Sequence, residues 1–331
     1  MYIKSSIIDY AKEIGIDYIG FSDTNFTKEF IGNLRKCREK NKLSGFEEED
    51  EFKRVDVDSV LPGANTFISV AIPYKYINIS YNKPYVSKYT LGNDYHKTLA
   101  NKLELLKSFI QESYKEKCMV FCDTGVFSDK EIARKCGIGF IGKNTNIITK
   151  NYGSYVFLGE ILTTLKIEPS KEIENRCDKC DLCIRSCPSK AIDKEGLDSK
   201  KCLSYVSQKK EELTLGEAEL LGTRVFGCDI CQDVCPYNKN TLNSAISEFV
   251  PVDYLLNIDI EEILSMSNKE FKRKYSSHAL AWRGKFIIQR NCIIACGNSR
   301  NKEYISILEN KRDDIRLKLY IETAIKKLSE L

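Results

Sequence analysis

Four thiols stand within twelve residues in CDKCDLCIRSCP, Cys177 to Pro188, and three more follow in GCDICQDVCPYN, at Cys228, Cys231 and Cys235. Thiolates spaced this way hold metal. In a C-x-x-C-x-x-C-x-x-x-C-P run the first three close on one iron-sulfur cube, while the fourth, turned away ahead of the proline, ligates another. Each 4Fe-4S cluster takes four thiolates, so two clusters need one more than the two runs supply, and Cys202 lies between them. The count assigns Cys177, Cys180, Cys183 and Cys235 to one cluster and Cys187, Cys202, Cys228 and Cys231 to the other. A pair of zinc sites is the alternative, but this is not a zinc-ribbon spacing. Cys37, Cys118, Cys122, Cys136, Cys292 and Cys296 read as small buried hydrophobes in a reducing compartment and receive no role.

Clusters of this kind store and pass electrons, so a destination is expected in the residues before them. That stretch has no G-x-G-x-x-G after a strand and no Walker loop, which leaves nicotinamide and P-loop nucleotide sites unsupported. GIGFIGKNTN, Gly137 to Asn146, is either a turn or a place where backbone approaches a cofactor. Of the two histidines, His96 sits in DYHKTL, which has part of the cobalamin-ligand pattern D-x-H-x-x-G without its glycine. It reads as a histidine at a helix start. His278 lies in a basic stretch.

The elements that must position these residues follow from periodicity. SSIIDYAKEIG, FTKEFIGNLRKCREK and DYHKTLANKLELLKSFIQESY space apolar residues as helices do, and SDKEIARKCG predicts a helix closed by Gly137. IDYIGFS, NTFISVAIPY, CMVFC and SYVFLGEILTT read as strands, NTFISVAIPY as a buried one. Strands alternating with helices imply an α/β domain over residues 1–166. The cysteine-rich module occupies 167–245, entered through the linker IEPSKEIENR, and helical patterns dominate 246–331. The 331 residues are 42% hydrophobic and 30% charged, ordinary for a globular chain, with neither a signal peptide nor an apolar run of membrane-spanning length. A cytoplasmic protein is expected. The net charge of +4 is too small to argue for nucleic acid, but Phe271 to Lys302 holds eight Lys or Arg and no Asp or Glu, a candidate face for an anionic ligand.

DTG at 123–125, GIGFIGKNTNII, GSYVFLGEILT, the first cysteine run, KCLSYV and FGCDICQDVCPYNK, in this order, resemble the epoxyqueuosine reductase family. GFEEEDEFKR and WRGKFIIQRN extend the resemblance over nearly the whole chain. It implies an α/β sandwich that binds base-off cobalamin, a ferredoxin-like module with two 4Fe-4S clusters, and a helical end of about one HEAT-like repeat. It further implies removal of the epoxide oxygen of epoxyqueuosine in tRNA, with electrons from an external donor such as flavodoxin or ferredoxin, in a monomer. By the same resemblance Asp123 is the proton donor, its pKa raised by desolvation above the cofactor. Arg54, Lys143, Asn144, Ile147 and Leu158 are then cofactor contacts, and the cluster containing Cys187 is the one nearer cobalt. The basic stretch becomes the tRNA face. Lys272, Arg273, Lys274, Arg283, Lys285 and Arg290 are expected on phosphates, with Trp282 or Tyr275 stacked on an unpaired base. Two departures stand out: many relatives carry several C-terminal helical repeats, and many have DTGP where this chain has DTGV. A reductive dehalogenase-like enzyme and a pure electron carrier are the competing functions.

Overall fold

The run TFISVAIP is apolar on both faces of a pleat, so a strand made of it needs cover on each side. In the computed structural model, which describes residues 2–76, 84–312 and 314–331, it is buried along its whole length. The strands β1 (Tyr18–Ser22), β2 (Thr66–Pro73), β3 (Cys118–Phe121) and β4 (Val156–Thr163) form a sheet in the order β1-β2-β4-β3. Alternating strands and helices ordinarily go with a parallel sheet. Here every pairing is antiparallel, with Ala71 opposite Leu158 and Phe121 opposite Glu160. The long connections carry helices to both faces and still return each strand against its neighbour.

Helices α1 (Tyr2–Glu13) and α2 (Tyr95–Tyr114) cover one face. Leu99, Leu103, Leu106 and Ile110 recur at helical spacing on α2 and pack with Val70, Ile72 and Ile161 of the sheet. Each such side chain contributes about 1.5–3 kcal/mol on burial. Helix α3 (Asp129–Lys135) covers part of the opposite face, setting Ile132 and Ala133 against Phe67, Ala71 and Leu162. It ends as its sequence predicts, with Gly137 at φ +71°.

The cysteine-rich stretch is joined to the α/β part through a second, two-stranded sheet and through side chains. Tyr85–Val86 pairs in parallel with Arg224–Phe226, and the Ser244 hydroxyl donates to the Pro73 carbonyl at 2.7 Å. The C-terminal part is helical. Its centre is α4 (Lys285–Asn298), buried continuously from Ile287 to Gly297 and packed against α5 (Lys318–Ser329). Asn291 donates to the carbonyls of Ser207 (2.7 Å) and Val225 (2.8 Å), so α4 holds both ends of the segment between Cys202 and the second cysteine run. Among the described residues no helix is long and apolar enough to cross a membrane.

Gly20 on β1 is where the end of α3 comes closest to the sheet: a Cβ there would stand 1.9 Å from the Cys136 carbonyl oxygen. Backbone cannot yield as a side chain does. Gly20→Ala should therefore cost about 1–3 kcal/mol or more, read as a lower denaturation midpoint in urea; an unchanged midpoint would mean that α3 is not held to β1 by this contact.

Candidate iron-sulfur and proton-donor site

Cys177, Cys180, Cys183 and Cys235 line one small pocket, together with Lys143, Asn144, Ile148, Leu182, Pro236 and Tyr237. This is the first quartet that thiol counting assigned. Two short helices present the thiols: Leu182–Ser186 carries Cys183, and Cys235 immediately precedes the turn that starts at Pro236. The Lys143 amide donates to Cys177 Sγ at 3.4 Å, a contact suited to a thiolate.

The second quartet is traced by how its thiols act on one another. Burial raises the Cys202 thiol, and Cys187 adds to the rise. Burial pushes Cys228 up to about 11; Arg224 opposes this and Cys202 adds to it. Cys231 stands well above the usual thiol range, through burial and then Cys228 and Cys202. Cys183 also acts on Cys231, so these two cysteines mark where the quartets approach. Crowded, buried thiols resist ionisation, and a cluster that takes them as thiolates relieves that cost. All fourteen cysteines are free of disulfides. Among the described residues, no three His, Cys, Asp or Glu converge as tightly as one metal ion requires. Thiolates around an iron-sulfur cube stand further apart than those around one ion.

Asp123 follows β3 in a left-handed conformation, φ +58°, uncommon for a residue with a Cβ. Its Oδ2 accepts from the Tyr95 hydroxyl at 2.5 Å and lies 3.8 Å from His96 Nε2. The Tyr95 ring is stacked on Phe157 at 4.1 Å, which fixes the hydroxyl. His96 Nδ1 lies 2.7 Å from Asp94 Oδ1, and Asp94 is the N-cap of α2. The hydrogen bond to Asp94 raises the His96 pKa against the opposing effect of burial, with the Asp94 and Asp123 charges adding to it. Reading DYHKTL as a helix start was right as far as it went. It missed that the cap places the imidazole against Asp123; the N-cap Asp two residues before a His was the available signal. The Asp123 side chain is 60% exposed, so the protein itself does not supply the expected desolvation.

Beyond Asp123, on the α3 side of the sheet, Phe121, Val126, Ile141, Val156 and Leu158 are partly exposed around the buried Ile147. At this face Arg54 is half-buried, and among the described residues its Nε has no partner. An open apolar bed beside a guanidinium with an unused N–H suits a large ring that is apolar in its body and polar at its rim, as cobalamin is. Lys143 and Asn144 require correction as cofactor contacts, because their side chains turn to the cysteine loops. Lys143 Nζ donates to the carbonyls of Asp178 (2.6 Å) and Cys180 (2.8 Å), and Asn144 Nδ2 to that of Cys231 (3.3 Å). Carbonyls in tight cysteine turns lack helix or sheet partners, and these donors satisfy them.

The basic stretch divides in two. Lys272 and Arg273 are exposed, whereas Lys274 pairs with Glu262 and Lys285 donates to the Met266 carbonyl at 2.8 Å. Arg290 is 1% exposed and donates to the carbonyls of Lys209 (2.9 Å) and Glu211 (3.0 Å); Tyr275 is also 1% exposed. Neither reaches the surface, so the expected phosphate and base contacts do not apply to them. Both occupy buried faces of their helices, which local charge density does not reveal. Trp282 is exposed, with Arg283 stacked 3.8 Å from its centroid and 4.6 Å from that of Phe46, a residue the sequence did not single out.

The model of the family described as "Epoxyqueuosine reductase QueG, DUF1730" matches residues 54–124, and that of the "4Fe-4S double cluster binding domain" matches 176–238. The chain is 37% identical over 326 residues to the epoxyqueuosine reductase of Bacillus cereus, covering 95% of this chain and 85% of that one. The Bacillus subtilis enzyme is 36% identical, with 90% and 80% covered. The solved structure of epoxyqueuosine reductase from Streptococcus thermophilus superposes with TM-score 0.92 at 32% identity, covering 100% of this chain and 91% of that one. An epoxyqueuosine reductase solved with an epoxyqueuosine-modified tRNA-Tyr stem loop superposes with TM-score 0.88 at 32% identity over 99% of both chains.

Cys202→Ala should halve the iron and sulfide of the anaerobically reconstituted protein; unchanged content would refute the ligand assignment. The His96 contact makes a further prediction. A group whose pKa is raised on folding stabilises fully below its unfolded value, 6.5 here, and that contribution fades as pH rises through the folded value. The melting difference between wild type and His96→Gln should thus be largest below pH 6.5 and shrink as pH rises above it. A difference independent of pH would show that His96 stabilises only as a neutral ring.

Proposed function

The chain belongs to the epoxyqueuosine reductase family, and from that premise we propose how its residues carry out the family's reaction. The protein reduces epoxyqueuosine to queuosine in tRNA, at the wobble position. Two electrons and two protons convert the epoxide to an alkene and release its oxygen as water. Cobalamin, when bound, supplies the low-potential electron chemistry that opens the epoxide. Arg54 would meet its polar rim, and Leu158, with Ile147 beneath it, its apolar body. Electrons from an external carrier such as flavodoxin or ferredoxin would enter at the quartet that includes the exposed Cys180. They would cross where Cys183 nears Cys231 and leave from the quartet holding Cys187.

The observation that carries the mechanism is the Asp94–His96–Asp123 array with Tyr95. Asp123 stands at the rim of the apolar bed, aimed by the Tyr95 hydroxyl. Substrate and cofactor covering this exposed carboxyl would exclude water and favour its taking up the proton it delivers. It gives that proton to the departing oxygen, and His96, kept charged by Asp94, returns one for the second transfer. A pure electron carrier has no use for this array. Lys272, Arg273, Arg283 and the exposed Trp282 are the groups free to meet the anticodon stem-loop. We further propose the division 1–166, 167–245 and 246–331, the last HEAT-like, in a cytoplasmic monomer.

Asp123→Asn tests this. It should retain both clusters and bound cobalamin but convert an epoxyqueuosine stem-loop about 10²–10⁴-fold more slowly, measured with a chemical reductant and nucleoside mass spectrometry. Wild-type turnover would remove Asp123 from the mechanism.

A further inference from the structure

Asp129 and Glu160 are two acids that neither cluster ligation nor the proton path uses. Glu160 lies in the middle of β4, fully buried, between Ser69 of β2 and Phe121 of β3. By strand alternation it shares its side of the sheet with Leu158 and Val156, the apolar bed described above. Ser69 Oγ donates to Oε1 at 3.4 Å, and among the described residues no N–H or hydroxyl donates to Oε2. Asp129, the first residue of α3, is in hydrogen-bond contact with the Glu160 carboxyl. Two carboxylates in contact cannot both be ionised in a buried site, so they share a proton.

The surroundings decide how many protons the pair holds. Burial and then Asp129 raise Glu160 well above the carboxylate range. Burial and then the Asp123 charge lift Asp129 to about 6, against the Glu160 hydrogen bond, Lys130 and Arg54. The other titratable groups facing the pair are the Cys122 and Cys136 thiols, both raised by burial first and then by Glu160 among other groups. At neutral pH the pair therefore carries one proton and one negative charge beneath the bed. Arg54 cannot change its charge, and Lys130 is exposed. Asp123, which also acts on both acids, is exposed and serves the substrate, so the pair is the buried carboxyl group there that can.

We propose that the Asp129–Glu160 pair takes up one proton from solvent when one electron reaches a cofactor seated on this face, so that the charge of the buried site stays constant. The electron comes from the clusters, and the pair passes from one shared proton to two. Compensation favours reduction, because an added negative charge in a low-dielectric site is costly. The inference rests on the reading that cobalamin lies against this bed, and the sign follows from linkage. Where uptake accompanies reduction, the potential falls as pH rises, at most tenfold in the equilibrium constant per pH unit, or about 59 mV for one electron.

The test is an optical redox titration of bound cobalamin in the full-length protein with both clusters, from about pH 5.5 to 8.5. Wild type should show the falling potential above about pH 6, and Asp129→Asn and Glu160→Gln should flatten it while the cluster spectra stay unchanged. A potential independent of pH in wild type, or a wild-type slope in both variants, overturns the proposal. Infrared difference spectra of the cofactor-free protein provide a second readout. A protonated-carboxyl band should be present near neutral pH and absent in Glu160→Gln; its absence from wild type also overturns the proposal. Failure of cobalamin to bind would overturn the cofactor reading and the proposal with it. Binding with a pH-independent potential would overturn the proposal alone.

Discussion

The arrangement depends on a buried polar junction between residues 87–88 and the second cysteine run. The Lys88 amide donates to Asp229 Oδ2 at 2.9 Å, and the Ser87 hydroxyl donates to Oδ1. The Lys88 ammonium, 5% exposed, lies 3.8 Å from Asp229 and 2.5 Å from Asp233, and the Tyr155 hydroxyl donates to Asp233 at 3.2 Å. Burying these charges costs several kcal/mol per ion unless hydrogen bonds satisfy them, and here each has several partners. The junction's contribution is to orientation. Asp229 and Asp233 flank Cys231, so the contacts that hold residues 87–88 also set where the cluster ligands stand relative to the sheet. Gln232 extends the junction, donating to the Tyr74 hydroxyl at 3.1 Å and to the Ser154 carbonyl at 3.0 Å.

With that junction in place, the proposed function brings electron and proton chemistry to one rim. The cysteine quartets lie on one side, tied down by Lys143 and Asn144. On the other side Asp123 is aimed by Tyr95, whose ring rests on Phe157 of β4. The same strand therefore supports Tyr95, which aims Asp123, on one face and carries Leu158 and Glu160 on the other. A shift of β4 would move all three together, which makes the sheet register part of the site.

What could be read from the sequence was whatever is local. Metal spacing is a local pattern, and counting thiols recovered a quartet that lines one cavity even though Cys235 lies far from its partners in sequence. Strands and helices with clear periodicity were likewise legible, down to Gly137 closing α3. The failures were contacts between distant segments. Lys143 and Asn144 resemble cofactor ligands until the cysteine carbonyls they bond are in view. Arg290 looks like a phosphate contact until α4 is seen to be buried all round, with the 209–211 backbone over it. His96 and Phe46 gained significance only through partners elsewhere in the chain, Asp123 and Arg283.

The central claim is that clusters, cofactor bed and Asp123 form one unit that spends two electrons and two protons on a single epoxide in tRNA. The most direct measurement counts both sides of that reaction. Protein carrying both clusters and cobalamin is reduced anaerobically, freed of excess reductant and mixed with an epoxyqueuosine-containing anticodon stem-loop, and the product is quantified by nucleoside mass spectrometry. The account predicts one queuosine for every two electrons withdrawn from the protein. Electrons withdrawn with the epoxide intact, or loss of the epoxide without queuosine, would contradict it.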